Sequence, residues 1–253
     1  MCKHRGLMRQ DKYLLRIYDL LNDHFGDLHW WPGGTPFEVI MGAILTQNTA
    51  WRNVEIAIAN LHAAGVLSPE GIMRTDDNTL AGLIRPSGYY NIKTRRLKSF
   101  IHFLYDEFGG KLGRMFAEDA PVLRGKLLQV KGIGEETADS ILLYAGNMPV
   151  FVVDAYTRRI LQRHGIIAED MNYGQIQALF LKQVPSSVPL YNQFHALLVN
   201  TGKEFCRKAP RCEGCPLRPL LLGEKPPGKY PRSRTGKQLS SSASPHDPGK
   251  CFT

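Results

Sequence analysis

Gly132-Ile133-Gly134 and Asp154 are the residues whose types and spacing most directly imply chemistry. The Gly-X-Gly turn opens a stretch of helical character. Glycines there give the backbone conformations closed to other residues and let another molecule approach closely. The first N–H groups of the following helix lack intrahelical partners and lie at the positive end of its dipole, which suits a phosphate. Asp154 comes twenty residues after Gly134, behind the apolar run Val150-Phe151-Val152-Val153. A loop that holds a phosphate, beside a carboxylate that could act on the attached sugar, suggests chemistry on nucleic acid. Both halves also have plainer readings. A Gly-X-Gly before a helix is commonly just a turn. Asp154, standing before Ala155-Tyr156-Thr157, is well placed as a helix N-cap. The pair at this spacing carries the inference.

Two other sets could bind or react. The three tryptophans, Trp30, Trp31 and Trp51, fall in one short region around Pro32-Gly33-Gly34. Tryptophan is highly buried on average, so they read first as core. Cys206, Cys212 and Cys215, spaced x5 and x2, form a tight metal-ligand cluster in a chain with five cysteines. Disulfide bonding is not expected in a reducing compartment.

The elements that must position these residues are helical. Residues 13–28 have amphipathic periodicity, and Thr35-Pro36-Phe37-Glu38 is a helix start, with Thr as cap, Pro first and Glu three residues after the cap. Apolar Phe37, Ile40, Met41 and Ile44 then recur at helical spacing. Further helices are predicted over 50–64, 91–108, 121–128, 135–145, 155–164, 173–184 and 190–201. The only strand-like run is Val150 to Val153. The fold class expected is all-α.

With 253 residues and 43% hydrophobic content, the chain can build one large or two small globular domains with a sizeable core. No stretch approaches eighteen uninterrupted apolar residues, and Met1-Cys2-Lys3-His4-Arg5 has no apolar secretory core. A cytoplasmic protein with no membrane partner is the expectation. The net charge of +9 suits a polyanion, but residues 1–12 contribute +3 and residues 223–253 contribute +4. Charge therefore marks basic ends more than a basic groove. The Pro-, Gly- and Ser-rich stretch 223–253 is expected to be a disordered basic tail.

Val130-Lys131-Gly132-Ile133-Gly134-Glu135-Glu136-Thr137-Ala138, followed by Val153-Asp154-Ala155-Tyr156, resembles the helix-hairpin-helix with trailing Gly/Pro and Asp of the endonuclease III superfamily of DNA glycosylases. The likeness covers roughly residues 14–215. It is strongest to the 3-methyladenine DNA glycosylase III branch, through Trp30-Trp31-Pro32, Leu45-Thr46-Gln47-Asn48-Thr49 with Trp51 after it, and Arg85-Pro86-Ser87-Gly88-Tyr89-Tyr90-Asn91. The resemblance implies two helical lobes flanking a DNA-binding cleft. Residues 37–148 would form one lobe, and residues 1–36 with 149–222 the other, carrying the cysteine loop. The implied partner is double-stranded DNA containing damaged bases, bound by a monomer.

The resemblance also implies roles. Lys131, Gly132, Ile133 and Gly134 would contact DNA, Gln47 would fill the gap left by an extruded base, and Tyr89 would be the wedge. Trp31, Pro32 and Trp51 would form the base pocket, with Trp30 either pocket or core. Asp154 would be the catalytic carboxylate. The lysine that forms an imine in bifunctional members falls on Glu136, and glutamate cannot form one. A monofunctional glycosylase follows, acting on an alkylated base whose cationic ring is attracted to indole faces by roughly 1–2 kcal/mol. Such a base leaves easily, which matches the lack of an obvious second carboxylate or histidine near the motif. Two other readings stay open: a bifunctional glycosylase/lyase on oxidised pyrimidines, with Lys131 as the nearest lysine, and a non-catalytic damage binder.

For the cysteines the resemblance implies a [4Fe–4S] cluster on four thiolates spaced x6, x2 and x5. This chain has x5 in the first gap and Leu221 at the fourth position, while Cys2 and Cys251 lie near the ends. A cluster on Cys206, Cys212 and Cys215 with an unidentified fourth ligand, another metal such as zinc, and a metal-free remnant all remain open.

Overall fold

The computed structural model describes residues 13–28 and 34–221, and within them every regular element is a helix. Trp30, Trp31, Pro32, Cys2, Cys251 and the 223–253 stretch lie outside the described residues. In chain order the helices are α1 (Tyr13–Phe25), α2 (Pro36–Leu45), α3 (Trp51–Ala63), α4 (Pro69–Arg74), α5 (Asp77–Leu83), α6 (Tyr90–Phe108), α7 (Leu112–Met115), α8 (Ala120–Gln129), α9 (Glu135–Ser140), α10 (Ala155–Arg163), α11 (Tyr173–Gln183) and α12 (Val188–Glu204). Thr35 caps α2 as its sequence suggests, accepting from the Glu38 N–H at 3.2 Å.

Periodicity did not announce α4 and α5. Both are short and carry poor helix formers, Gly71, Asn78, Thr79 and Gly82 among them. Their caps hold them: Ser68 accepts from Gly71 N–H, and Asp76 accepts from the N–H groups of Asn78 and Thr79.

The buried apolar side chains form two clusters. One gathers Ile40, Ile44, Leu61, Leu97, Ile101, Leu127 and Ile141 from α2 to α9. The other joins Leu14, Ile17 and Leu21 of α1 to Phe151, Ile160, Phe180, Phe194 and Leu197. They meet where α9 runs on into a wider π turn, Ile141–Ala145. Leu142 packs into the first cluster there and Leu143 into the second.

Val150 to Val153 is extended but has no partner strand. Side chains supply its hydrogen bonds instead. Gln177 of α11 donates to the Phe151 carbonyl at 2.7 Å, and the Val153 N–H donates to the Tyr173 hydroxyl at 3.2 Å. Phe151 stacks on Phe180 with centroids 3.7 Å apart.

The same α11 side chains grip Asp139 of α9, which has no solvent exposure. Gln177 Nε2 donates to its carboxylate at 2.7 Å, and Arg124 of α8 forks onto both its oxygens at 2.6 and 3.1 Å. Tyr173 also hydrogen-bonds it, and burial raises that phenol well above its usual range. Removing the carboxylate would leave half-buried Arg124 with only the more distant Glu135 at 3.6 Å and take one of two acceptors from buried Gln177. Asp139→Ala is expected to cost about 3 kcal/mol or more, read as a lowered urea midpoint at unchanged slope. A loss under about 1 kcal/mol would show that the network does not hold the elements together.

Candidate active site

A cleft of about 1040 Å³ lies between the two apolar clusters, and Gln47, Trp51, Gly132, Ile133, Gly134 and Asp154 of the residues singled out in the sequence line it. The hairpin between α8 and α9 supplies Gly132, Ile133 and Gly134. The loop after α2 supplies Gln47, the start of α3 supplies Trp51, and the end of the extended segment supplies Asp154.

The two hairpin glycines differ. Gly132 has φ +93, and a Cβ there would collide with the stem of Arg96. Gly134 is extended, at φ −97 and ψ −179, with nothing near its missing side chain. Only Gly132 therefore needs a conformation closed to other residues; Gly134 leaves open space in front of α9. Ile133 is 5% exposed, and its N–H is taken by the Val130 carbonyl at 3.0 Å. It anchors the hairpin from inside rather than presenting itself to a ligand. Lys131 is exposed on the outer side and does not line the cleft. Glu135 and Glu136 occupy the first turn of α9, so an anion at this end meets carboxyls as well as N–H groups.

Gln47 ties the loop after α2 to the hairpin, to α9 and to α6 along one wall of the cleft. Its amide donates to the Gly132 carbonyl at 3.1 Å and to the Thr137 hydroxyl at 2.9 Å, and its oxygen accepts from Arg96. Tyr89 stands apart from the core, 67% exposed, with left-handed φ and ψ of +48 and +31. That backbone costs a non-glycine residue roughly 1–2 kcal/mol. The ring's exposure returns nothing in packing.

Lys93 secures the bases of both loops. It is 1% exposed, and its ammonium donates at 2.7 Å to the Leu45 carbonyl, two residues before Gln47, and at 2.7 Å to the Ser87 carbonyl, two before Tyr89. Burial, and then the Arg96 charge, push it down to about 8, while both carbonyls favour the charged form.

Asp154 does the plain job and faces the cleft as well. Oδ1 caps α10, accepting from Thr157 N–H at 2.7 Å, and Oδ2 lies 3.8 Å from His195 Nε2. His195 is 6% exposed, its Nδ1 hydrogen-bonds the Tyr144 hydroxyl, and its Nε2 has no other partner. Burial holds this imidazole below its usual range against the opposing pull of Asp154. Burial thus favours the neutral ring, and Nε2 faces Asp154 from beyond hydrogen-bond distance.

Glu136 shares the cleft. The surrounding protein, and second the charge of Asp154, push its carboxyl up to about 7. The side chain still opens onto the cleft's solvent, which screens part of that push. The expectation of no second carboxylate or histidine beside Asp154 is thus corrected: the structure brings both. His195 lies on α12, 41 positions beyond Asp154, with no local signal to mark it. Glu136 was visible only as a missing lysine. Lys203, also on α12, lines the cleft too, and burial lowers its ammonium.

Cys206, Cys212 and Cys215 come together at a separate small cavity behind α10, which Leu221 also lines. Burial pushes Cys215 up to about 11, so it is no activated nucleophile. Among the described residues, no three histidine, cysteine or acidic side chains close on a single metal ion. Nor is any helix among them long and apolar enough to cross a membrane.

Residues 41–186 match the family described as HhH-GPD superfamily base excision DNA repair protein. A candidate DNA repair glycosylase of Methanocaldococcus jannaschii is 43% identical over 220 residues, 86% of this chain and 100% of that one. Endonuclease III of Sulfolobus acidocaldarius is 32% identical over 72% of this chain and 79% of its own. Among solved structures, the 3-methyladenine DNA glycosylase of H. pylori bound to 1,N6-ethenoadenine superposes with TM-score 0.68 at 31% identity, over 76% of this chain and 97% of that one. An endonuclease III–DNA complex gives TM-score 0.72 at 21% identity, over 85% and 96%, a likeness of fold.

Lys93→Met is expected to leave both loop-base carbonyls unpaired and cost about 3 kcal/mol of stability, measured by chemical denaturation. An unchanged midpoint would show that the loops are held by other contacts.

Proposed function

The chain belongs to the HhH-GPD superfamily of base excision DNA repair proteins and is a DNA glycosylase, and on that premise we propose that it hydrolytically removes an alkylated, 3-methyladenine-like base from double-stranded DNA, without lyase activity. The observation that carries this reading is the pair of carboxyls in the cleft. Glu136 stands where bifunctional members have the imine-forming lysine, and it is close enough to Asp154 to feel its charge. The likeness to the H. pylori enzyme supports an alkylated purine.

In this reading a cytoplasmic monomer grips duplex DNA between the lobe of residues 37–148 and the lobe of residues 1–36 with 149–222. The hairpin around Gly134 and Lys131 takes the backbone, and Tyr89 wedges the stack. Gln47 exchanges its bonds to Gly132 and Thr137 for the gap left behind. Extrusion costs a few kcal/mol. Trp51, with Trp31, Pro32 and Trp30, receives the base, whose positive charge an indole face attracts. The electron pair of the C1′–N bond leaves with the base. Asp154 Oδ2 stabilises the positive charge that develops on the sugar, held in place by its cap bond and by neutral His195. Water then bonds to C1′ and yields its proton to the Glu136 carboxylate.

A lyase reading has one observation in its favour, the Lys203 amine with its basicity lowered in the same cleft. An imine through that nitrogen would be trapped on DNA by borohydride. We expect no trapped adduct on alkylated duplex, while chromatography shows free base. Asp154→Asn is expected to keep duplex binding and lose base release by about 100-fold or more. A trapped adduct overturns the hydrolytic assignment, and full activity of the variant overturns the role of Asp154.

The raised carboxyl gives a pH dependence with a definite sign. Glu136 is protonated below about 7 and becomes the water-activating carboxylate above it. Single-turnover base release should rise with pH through that region, and Glu136→Gln should be slower and flat. A wild-type profile flat from pH 5.5 to 8.5 would remove Glu136 from the reaction.

A further inference from the structure

The cavity behind α10 brings a fourth donor to the three thiols that no spacing in the sequence marks. His164, at the C-terminal end of α10, lines it together with Cys206, Cys212 and Cys215. The imidazole is 9% exposed, and its Nδ1 has no hydrogen-bond partner. A buried ring nitrogen is rarely left unmatched. The other side of the ring meets the Leu220 carbonyl, which also accepts from the Tyr13 hydroxyl at 3.1 Å. One nitrogen tied to a backbone carbonyl and the other left open is how a protein orients a metal-binding histidine.

From this arrangement we propose that His164 Nδ1 is the fourth ligand of a [4Fe–4S] cluster otherwise held by Cys206, Cys212 and Cys215. The donor set fits. Imidazole replaces thiolate on iron–sulfur centres in other proteins, and hydrogen bonds to the sulfurs tune such centres. Arg163 supplies one here, donating to Cys206 Sγ at 3.3 Å. The 207–214 loop over this cavity is largely exposed. Leu221, at the family's fourth cysteine position, lines the same cavity as an apolar wall.

The consequence is structural. Asp154 caps the N-terminal end of α10 and His164 closes the other, about 14 Å away for nine residues. A cluster bound at His164 braces the helix that presents the carboxylate, and Arg159 ties that helix again to the Cys206 carbonyl at 2.6 Å.

The test uses the full chain purified anaerobically. Iron and sulfide should each approach about four per chain, with a broad absorption band near ~400 nm. Pulsed EPR of the reduced cluster should show a nitrogen hyperfine coupling that changes on labelling histidine with 15N. His164→Cys should retain the iron and lose that coupling, while His164→Leu should lose iron and absorbance. Cys2→Ser/Cys251→Ser should change nothing. The proposal is overturned by a cluster without nitrogen coupling, by loss of the cluster in the Cys2/Cys251 double variant, by zinc in place of iron, or by metal-free protein from iron-replete cells.

Discussion

A carboxylate with no access to water must be satisfied entirely by the protein around it, and Asp139 imposes that requirement on half the cleft. Its oxygens draw Arg124 of α8 and Gln177 of α11 onto α9, and Tyr173 hydrogen-bonds it too. Gln177 and Tyr173 then use their remaining capacity on the backbone at Phe151 and Val153. The residue that follows is Asp154. The hairpin and Asp154 are thus positioned by one network, with no strand ladder among the described residues to do it.

Asp154 shows how a capping role and a place in the cleft coexist in one side chain. The cap bond on Oδ1 immobilises the carboxylate, which leaves Oδ2 aimed at the cleft and at His195. A carboxylate already held by its own helix needs little reorganisation when charge develops nearby. Neutral His195 and the raised Glu136 limit the like-charge and desolvation costs of concentrating so many ionisable groups in one place. Lys93 plays the corresponding part for the loops of Gln47 and Tyr89. A single buried ammonium holds the loop bases in register, and so the distance from Gln47 to Tyr89.

How much of this was legible depends on whether the information is local. The caps at Thr35 and Asp154, the long helices and the hairpin are written in contiguous residues, so their reading carries into the structure. The short helices α4 and α5 are held by single capping side chains against poor propensity, and periodicity has no purchase on six or seven residues. The extended 150–153 segment has strand composition, but its partners are the side chains of α11 rather than another strand. Ile133 sits in the middle of a ligand-facing motif and yet points inward, because a tight turn must bury one residue to stay tight.

The amino-acid sequence by itself determined the helical class, the glycine bend, the acid twenty residues beyond it and the three-cysteine cluster, since each depends on neighbours along the chain. Only the tertiary structure decided what surrounds them. His195 and Lys203 reach Asp154 from α12, His164 reaches the cysteines from α10, and Lys93 reaches two loops at once. All but the Lys93–Ser87 bond join residues some forty or more positions apart; such contacts follow from helix packing, and packing is settled by the whole core together rather than by any segment of it.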